Sequence, residues 1–263
     1  MAEMGKKCVI VFSGGQDSTT CLWWAKKRGW DVHCLTFDYG QLHSIELDSA
    51  RNIAKLAKVP LTVLAVPQVL RSTSPLVTQE APKEYESFQQ MEKETGKNVE
   101  ATFVPMRNLF FLTIAMNFAL SIGAKIVVTG VSQADNANYP DCTEAFIKKT
   151  EAAFRESLND PEVRIVTPLL HLPKWKGVEL AYTMPECWAS LAYSHTSYDG
   201  KYPPTGKNHA NVLRAEGFER AMLPDPLVLR AHAEDKMELP ATYNYRQADI
   251  HLDAIRRTLR GMM

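Results

Sequence analysis

Three hydroxyls and two glycines fall within seven residues near the amino end, in Ser13-Gly14-Gly15-Gln16-Asp17-Ser18-Thr19. That mixture suits an anion. Glycine lets backbone N–H groups come close to a phosphate, and the hydroxyls of Ser13, Ser18 and Thr19 add donors. Asp17 belongs in such a site only if a cation stands between it and the anion, and Mg²⁺ bridges carboxylates and phosphates. No Gly-Lys-Ser/Thr follows, so this is not the Walker pattern. An ordinary tight turn would also use Gly-Gly, but the flanks favour the anion site. Cys8-Val9-Ile10-Val11-Phe12 is a short strand-forming run, and Thr19 to Ala25 reads as the first turns of a helix. A strand ending in a glycine-bracketed loop that opens a helix aims free N–H groups and the positive helix end at one point. The loop resembles the SGGxDS pyrophosphate loop of enzymes that split ATP between its α- and β-phosphates.

Other polar groups stand where strands end or helices begin. Asp38-Tyr39-Gly40-Gln41-Leu42-His43-Ser44 follows a second apolar run, Asp31 to Phe37. Arg107 and Asn108 stand at the start of an apolar helix over 110–122, where an anion would meet both a cation and free N–H donors. Gly130 closes a further strand, Ala124 to Thr129, and leads into a polar run with Gln133, Asp135, Tyr139, Asp141 and Cys142. Two carboxylates there could read the N1–H and amino edge of a guanine-like ring, with Tyr139 stacking on it. An Asn/Asp-rich loop that only makes turns uses the same residues. Lys174 and Lys176 flank Trp175 at another helix start, either as phosphate ligands or, as is usual, as solvated charges.

The elements that must hold these groups alternate. Helix 45–58 and strand 60–66 continue the strand–helix rhythm, and a helix over 143–158 and a strand over 163–169 extend it. This predicts an α/β fold: a parallel sheet with helices on both faces, whose ligands gather at the carboxyl ends of the strands. Residues 1–185 are expected to form the ATP-binding α/β domain, with a polar insertion at about 68–100. That insertion is either surface decoration or a lid. Residues 186–263 are expected to form a loop-rich and helical segment completing the substrate site. The pattern Arg256, Arg257, Arg260 suggests a final amphipathic helix, for docking or a dimer face.

Composition narrows the class. Thirty basic residues balance thirty acidic ones, so no overall field attracts nucleic acid or an acidic membrane. No apolar run is long enough to span a bilayer, and no signal-type segment precedes the first strand. The five cysteines are odd in number and scattered. They read as buried thiols of a cytoplasmic protein rather than a disulfide frame.

Taken together, Phe12 to Thr20, Phe37-Asp38-Tyr39-Gly40-Gln41 with His43 and Glu46, Arg107-Asn108-Leu109, Gly130-Val131 with Asp135, Tyr139-Pro140-Asp141-Cys142, and Leu213-Arg214 with Gly217-Phe218 resemble the 7-cyano-7-deazaguanine synthase family of queuosine precursor synthesis. The resemblance implies an adenine-nucleotide α-hydrolase-like fold, a homodimer, and ATP, Mg²⁺, 7-carboxy-7-deazaguanine and ammonia as reactants. It implies that ATP is held by Phe12, Ser13, Gly14, Gly15, Gln16, Asp17, Ser18, Thr19, Phe37 and Gly130. The deazaguanine would be held by Tyr39, Gln41, Asn108, Gln133, Asp135, Tyr139 and Asp141. Ser13, Asp17 and Arg107 would act on the phosphates, with Asp17 also holding Mg²⁺. No covalent nucleophile is needed, so Cys142 and Cys187 are expected to pack.

The sequence departs from that family at its zinc cysteines. Aligned on Pro204, Gly206 and Arg214, the four positions here are His195, Thr205, Asn208 and Asn211. Structural zinc wants four thiolate or imidazole ligands, so zinc is expected to be absent. A rebuilt loop leaves open a paralogue that stops at the amide or couples the activated acid to another amine. A tRNA-modifying pyrophosphatase and a non-catalytic nucleotide-binding protein are rivals of other classes. The first would bring a catalytic cysteine pair or a basic extension, and the second could lose Asp17 or the glycines; neither sign is visible.

Overall fold

The computed structural model describes residues 1–263 apart from 1–4, 40–44, 67–70, 79, 81–82, 97, 133–137, 196–200 and 205–206, and the side chain of residue 76. Five strands form one parallel sheet: β1 (Lys7–Val11), β2 (Asp31–Asp38), β3 (Leu61–Ala65), β4 (Ile126–Val128) and β5 (Arg164–Val166). Their order is β3-β2-β1-β4-β5. The chain builds outward from β1 to β3, then crosses back to lay β4 on the other side of β1. The carboxyl ends of β1 and β4 therefore flank a topological switch point, where a parallel sheet opens a crevice.

β1 shows why helices cover both faces. Successive side chains of a strand alternate in direction. Cys8 and Ile10 join a core with α1 (Gln16–Lys27), α2 (Ile45–Ala57), α7 (Lys174–Tyr182) and α8 (Pro185–Ser190). Val9, between them, joins a second core with α5 (Arg107–Ser121) and α6 (Glu144–Leu158). All five cysteines are free thiols, and four of them are buried in the interior. Burial pushes the Cys8 thiol up to about 12 and those of Cys21, Cys34 and Cys187 upward as well, which makes them inert packing groups.

The elements expected from periodicity are present with ends shifted by up to three residues. α5 begins at Arg107 rather than after it, and β4 and β5 are three residues each. Within the insertion lie α3 (Pro75–Thr78) and α4 (Phe88–Thr95). α4 is not a purely polar surface piece: Met91 is fully buried with Tyr85 and Leu213. The Tyr85 N–H donates to the Lys207 carbonyl at 2.8 Å. The insertion thereby leans on α9 (His209–Arg220), and α10 (Pro226–Ala233) and α11 (Ala248–Met262) follow. α11 presents Ala248, Ile255 and Met262 to the first core. No described helix is long and apolar enough to cross a membrane.

Candidate active site

The loop between β1 and α1 is shaped by what presses on it. Gly14 has φ +75°, and a Cβ there would lie 2.6 Å from the Ala50 nitrogen and 3.0 Å from the Glu46 carbonyl oxygen. Only glycine allows α2 to close on the loop. Within the turn, the Ser13 N–H donates to Ser18 Oγ at 3.3 Å, the Gly15 N–H to Ser13 Oγ at 3.3 Å, and Ser18 Oγ to the Gly15 carbonyl at 3.2 Å. The hydroxyls and N–H groups are thus gathered at the first turn of α1. Gly130, just past β4, is the opposite lip. A Cβ there would sit 3.0 Å from the Asp17 carbonyl carbon, so α1 and the β4 end touch across the switch point.

A cavity of about 520 Å³ opens at this edge. The loop contributes Ser13, Gly15, Gln16, Asp17 and Ser18 to its wall, and the β2 end contributes Phe37 and Tyr39. Phe37 lies flat on Phe111 of α5, ring centroids 4.2 Å apart and planes within 4°. Arg107 and Asn108 open α5 on the same wall, with Gly130 and Tyr139 beyond them. Of the residues expected to hold ATP, Gly14 and Thr19 lie off the wall: Gly14 is pinned under α2 and Thr19 is fully buried. They shape the loop from behind.

The expected deazaguanine set divides. Tyr39, Asn108 and Tyr139 line the cavity. The Tyr139 hydroxyl is 2.6 Å from Thr102 Oγ1, and its ring is tilted against Phe103 at 5.4 Å, so it is tied to the segment before α5. Asp141 is buried off the wall, where its Oδ2 accepts the Asn108 N–H at 3.3 Å at the start of α5. Burial raises its carboxyl while Asn108 and Arg107 oppose that rise. It caps a helix and orients Asn108, whose Nδ2 also donates to the Asp141 carbonyl at 3.3 Å. Gln41, Gln133 and Asp135 lie outside the described residues.

Lys174 departs from the expected solvated charge. Its side chain is only 8% exposed, and Nζ lies 2.8 Å from Asp17 Oδ2. Its stem fills a notch at Gly217 of α9, where a Cβ would come within 2.6 Å of Lys174 Cγ. Lys176 does meet that expectation, exposed and paired with Glu179 at 2.8 Å. Charge pattern alone does not separate the two; the informative sign was that Lys174 opens a helix just past the last strand, at the ligand edge. Glu46, His195 and His209, none of them expected to bind substrate or act in catalysis, also stand on the wall. Burial pushes the Glu46 carboxyl up to about 7, against the pull of Arg107.

A loop of glycines and hydroxyls at a helix start, an aspartate backed by a lysine and an arginine at a second helix start share one cavity. The family model of queuosine biosynthesis protein QueC matches residues 7–222. The chain belongs to that family. A relative from Chromobacterium violaceum, 7-cyano-7-deazaguanine synthase, is 45% identical over 87% of this chain and 96% of its own length. Proteins of the same name from Laribacter hongkongensis and Gloeobacter violaceus are 42% and 40% identical, each over 84% of this chain and at least 94% of theirs.

Zinc does not fit the donors that stand at the QueC-type cysteine positions. Asn208 is the N-cap of α9, its Oδ1 accepting the Asn211 N–H at 3.1 Å, and a carboxamide is not a zinc ligand of structural sites. Thr205 lies outside the described residues. His195, the only imidazole of the four, sits against the β1–α1 loop: its backbone N–H donates to the Gly14 carbonyl at 3.1 Å. The neighbouring Ser194 is fixed from below. Arg214 grips Asp225 through two hydrogen bonds of 2.6 and 2.8 Å and donates to Ser194 Oγ at 3.0 Å, all of it buried. Asp225 in turn caps α10 through the Leu227 N–H at 2.9 Å.

Proposed function

We propose that this chain converts 7-carboxy-7-deazaguanine and ammonia to 7-cyano-7-deazaguanine, using ATP to activate first the acid and then the amide. The observation that carries the reading is the convergence of the Ser13–Ser18 loop, the Asp17–Lys174 pair and Arg107 on one cavity. A carboxylate is a poor electrophile. Joining its oxygen to the α-phosphorus of ATP makes that oxygen a leaving group, and the departing pyrophosphate needs its charge stabilised. The donors of Ser13, Gly15 and Ser18 would take that charge at the helix start, with Lys174 beside them and Arg107 across the cavity. ATP fits what is present: the absence of a Cβ at Gly15 and at Gly130 lets the loop and the β4 end close up behind the cavity, and Gln16 Oε1 is a buried acceptor with no partner among the described residues. Asp17 is the residue that would hold Mg²⁺ together with phosphate oxygens, where the metal would neutralise developing charge.

Phe37 and Tyr39 would border the adenosine and deazaguanine ends, and Asn108, oriented by Asp141, would donate to the heterocycle. The chain would work without structural zinc, with the Arg214–Asp225–Ser194 network supporting the loop that the family's metal supports. The same reading makes it a cytoplasmic homodimer, in keeping with five free thiols. A second reading rests on the altered zinc positions and on His195 and His209 at the wall: the activated acid stops at the amide or passes to another amine.

The test is pyrophosphate release from ATP with 7-carboxy-7-deazaguanine, with and without ammonium, and mass spectrometry of the product. Release that requires the acid, and a nitrile product, supports the first reading; an amide or a conjugate selects the second. Release with tRNA alone, or none with the acid, overturns both. Ser13→Ala and Asp17→Asn are each expected to lower turnover about 10²–10³-fold, as loss of a charge-stabilising donor or carboxylate does.

A further inference from the structure

We propose that Glu46 is the proton acceptor of the reaction: its carboxylate, on the cavity wall at the start of α2, takes the protons that the incoming nitrogen gives up. The inference rests on the activation chemistry proposed above and adds the residue that completes it.

The geometry puts Glu46 on the wall of the cavity that the activation chemistry would use. Its carbonyl oxygen lies 3.0 Å from the position a Gly14 Cβ would take, so the first turn of α2 is seated against the phosphate loop and cannot drift from it. The side chain joins the cavity wall between that loop and α5. Asp17 and Glu46 are the only carboxylates among the described wall residues. Asp17 is held by Lys174 at 2.8 Å, which commits it to the phosphate end. Asp141 is off the wall and caps α5. Among the described residues the charge that acts on Glu46 is Arg107; Asp17, Lys174, His195 and His209 are the other ionisable groups on the described wall besides Cys142 and the tyrosines. Burial brings its carboxyl to about 7, which is where a general base works best at neutral pH.

The chemistry balances with one base. Ammonia's lone pair forms a bond to the activated carbonyl carbon. The carbon–oxygen bond to AMP then breaks with its electron pair, and the nitrogen loses one proton to Glu46, leaving the amide and AMP. When the amide oxygen is activated in turn, its nitrogen gives up two protons in succession. The freed pairs make the carbon–nitrogen triple bond as AMP leaves. Each proton passes from Glu46 to water before the next transfer.

The test separates activation from nitrogen chemistry. ATP–pyrophosphate exchange driven by 7-carboxy-7-deazaguanine needs no proton from nitrogen, whereas ammonium-dependent turnover does. For Glu46→Gln, exchange should stay within about threefold of wild type while turnover falls about 10²–10⁴-fold. With total ammonium adjusted at each pH so that free ammonia stays constant, the wild-type rate should rise with pH through about 7, as the base ionises, and this limb should vanish from the residual rate of Glu46→Gln and persist in Glu46→Asp. Full turnover in Glu46→Gln overturns the proposal. So do an equal loss of exchange and turnover, or a limb that disappears in His195→Gln or His209→Gln instead. Wild-type protein that shows no exchange with this acid defeats the proposed function and the proposal with it. Intact exchange with full turnover in Glu46→Gln defeats the proposal alone.

Discussion

Two acidic groups, Glu46 on the cavity wall and Asp225 beneath Arg214, are held in different ways, and the difference has consequences for stability. Glu46 is pushed up to about 7 by burial, so the folded protein keeps it neutral at pH values where an unfolded chain ionises it. That contribution is fully present below about pH 4.5 and is lost as pH rises through 7. Glu46→Gln keeps the shape and cannot ionise. In urea melts it is expected to match wild type at pH 4 and to be more stable at pH 8, by up to about 3 kcal/mol at 1.36 kcal/mol per pKa unit. A catalytic group that weakens the fold at its working pH is the usual trade at an active site. Arg214 is the opposite case. Its guanidinium and Asp225 are buried together, and Arg214→Met leaves a buried carboxylate without its partner. The expected loss is about 3–5 kcal/mol in a denaturant melt, with a parallel loss of activity because Ser194 and His195 brace the phosphate loop.

Between elements, the notch of α9 is the informative contact. Alanine is favoured over glycine inside a helix by about 1 kcal/mol, so Gly217→Ala should not unfold α9. Its methyl would meet Lys174 Cγ at 2.6 Å, and the lysine would have to leave its place beside Asp17. Turnover is expected to fall about tenfold, which corresponds to about 1.4 kcal/mol of barrier. The melting midpoint should move by only a few degrees. Steady-state kinetics at varied ATP check this, since displacement of a phosphate-side cation raises KM for ATP as well as lowering kcat. A variant with unchanged kinetics would show that Lys174 serves only the packing of α7 on α9.

For the molecule as a whole, the strand order β3-β2-β1-β4-β5 decides where chemistry gathers. Segments far apart in sequence meet at one crevice: the loop after β1, the end of β2, the start of α5, and His195 with His209, Ala210 and Leu213. The last of these would be held by a zinc cluster if the donors were cysteines. With Asn208 capping α9, purified protein is expected to carry far less than one zinc per chain by elemental analysis. Prolonged dialysis against a chelator should leave its activity unchanged once Mg²⁺ is restored. Near-stoichiometric zinc would mean that ligands other than the aligned positions had been recruited.

The phosphate loop and the parallel α/β class could be read from the sequence alone, because both depend on local rules. Strand periodicity, glycine at a positive φ and a hydroxyl cluster at a helix start are written in neighbouring residues. Phe37, Arg107 and Gly130 were legible for a related reason: each stands at the end of a strand or the start of a helix, and in parallel sheets those ends share an edge. What stayed hidden depends on contacts across the chain. Lys174 and Lys176 are alike in sequence, and only the notch at Gly217 buries one of them beside Asp17. Asp141 reads as a base-recognising carboxylate, and only the fold shows that it accepts the Asn108 N–H at the start of α5. Glu46 gains its altered acidity from burial, which outweighs the opposing pull of Arg107 that α5 brings near. Local sequence fixes which groups can do chemistry; burial and charge neighbours, which arise only on folding, decide which of them do it.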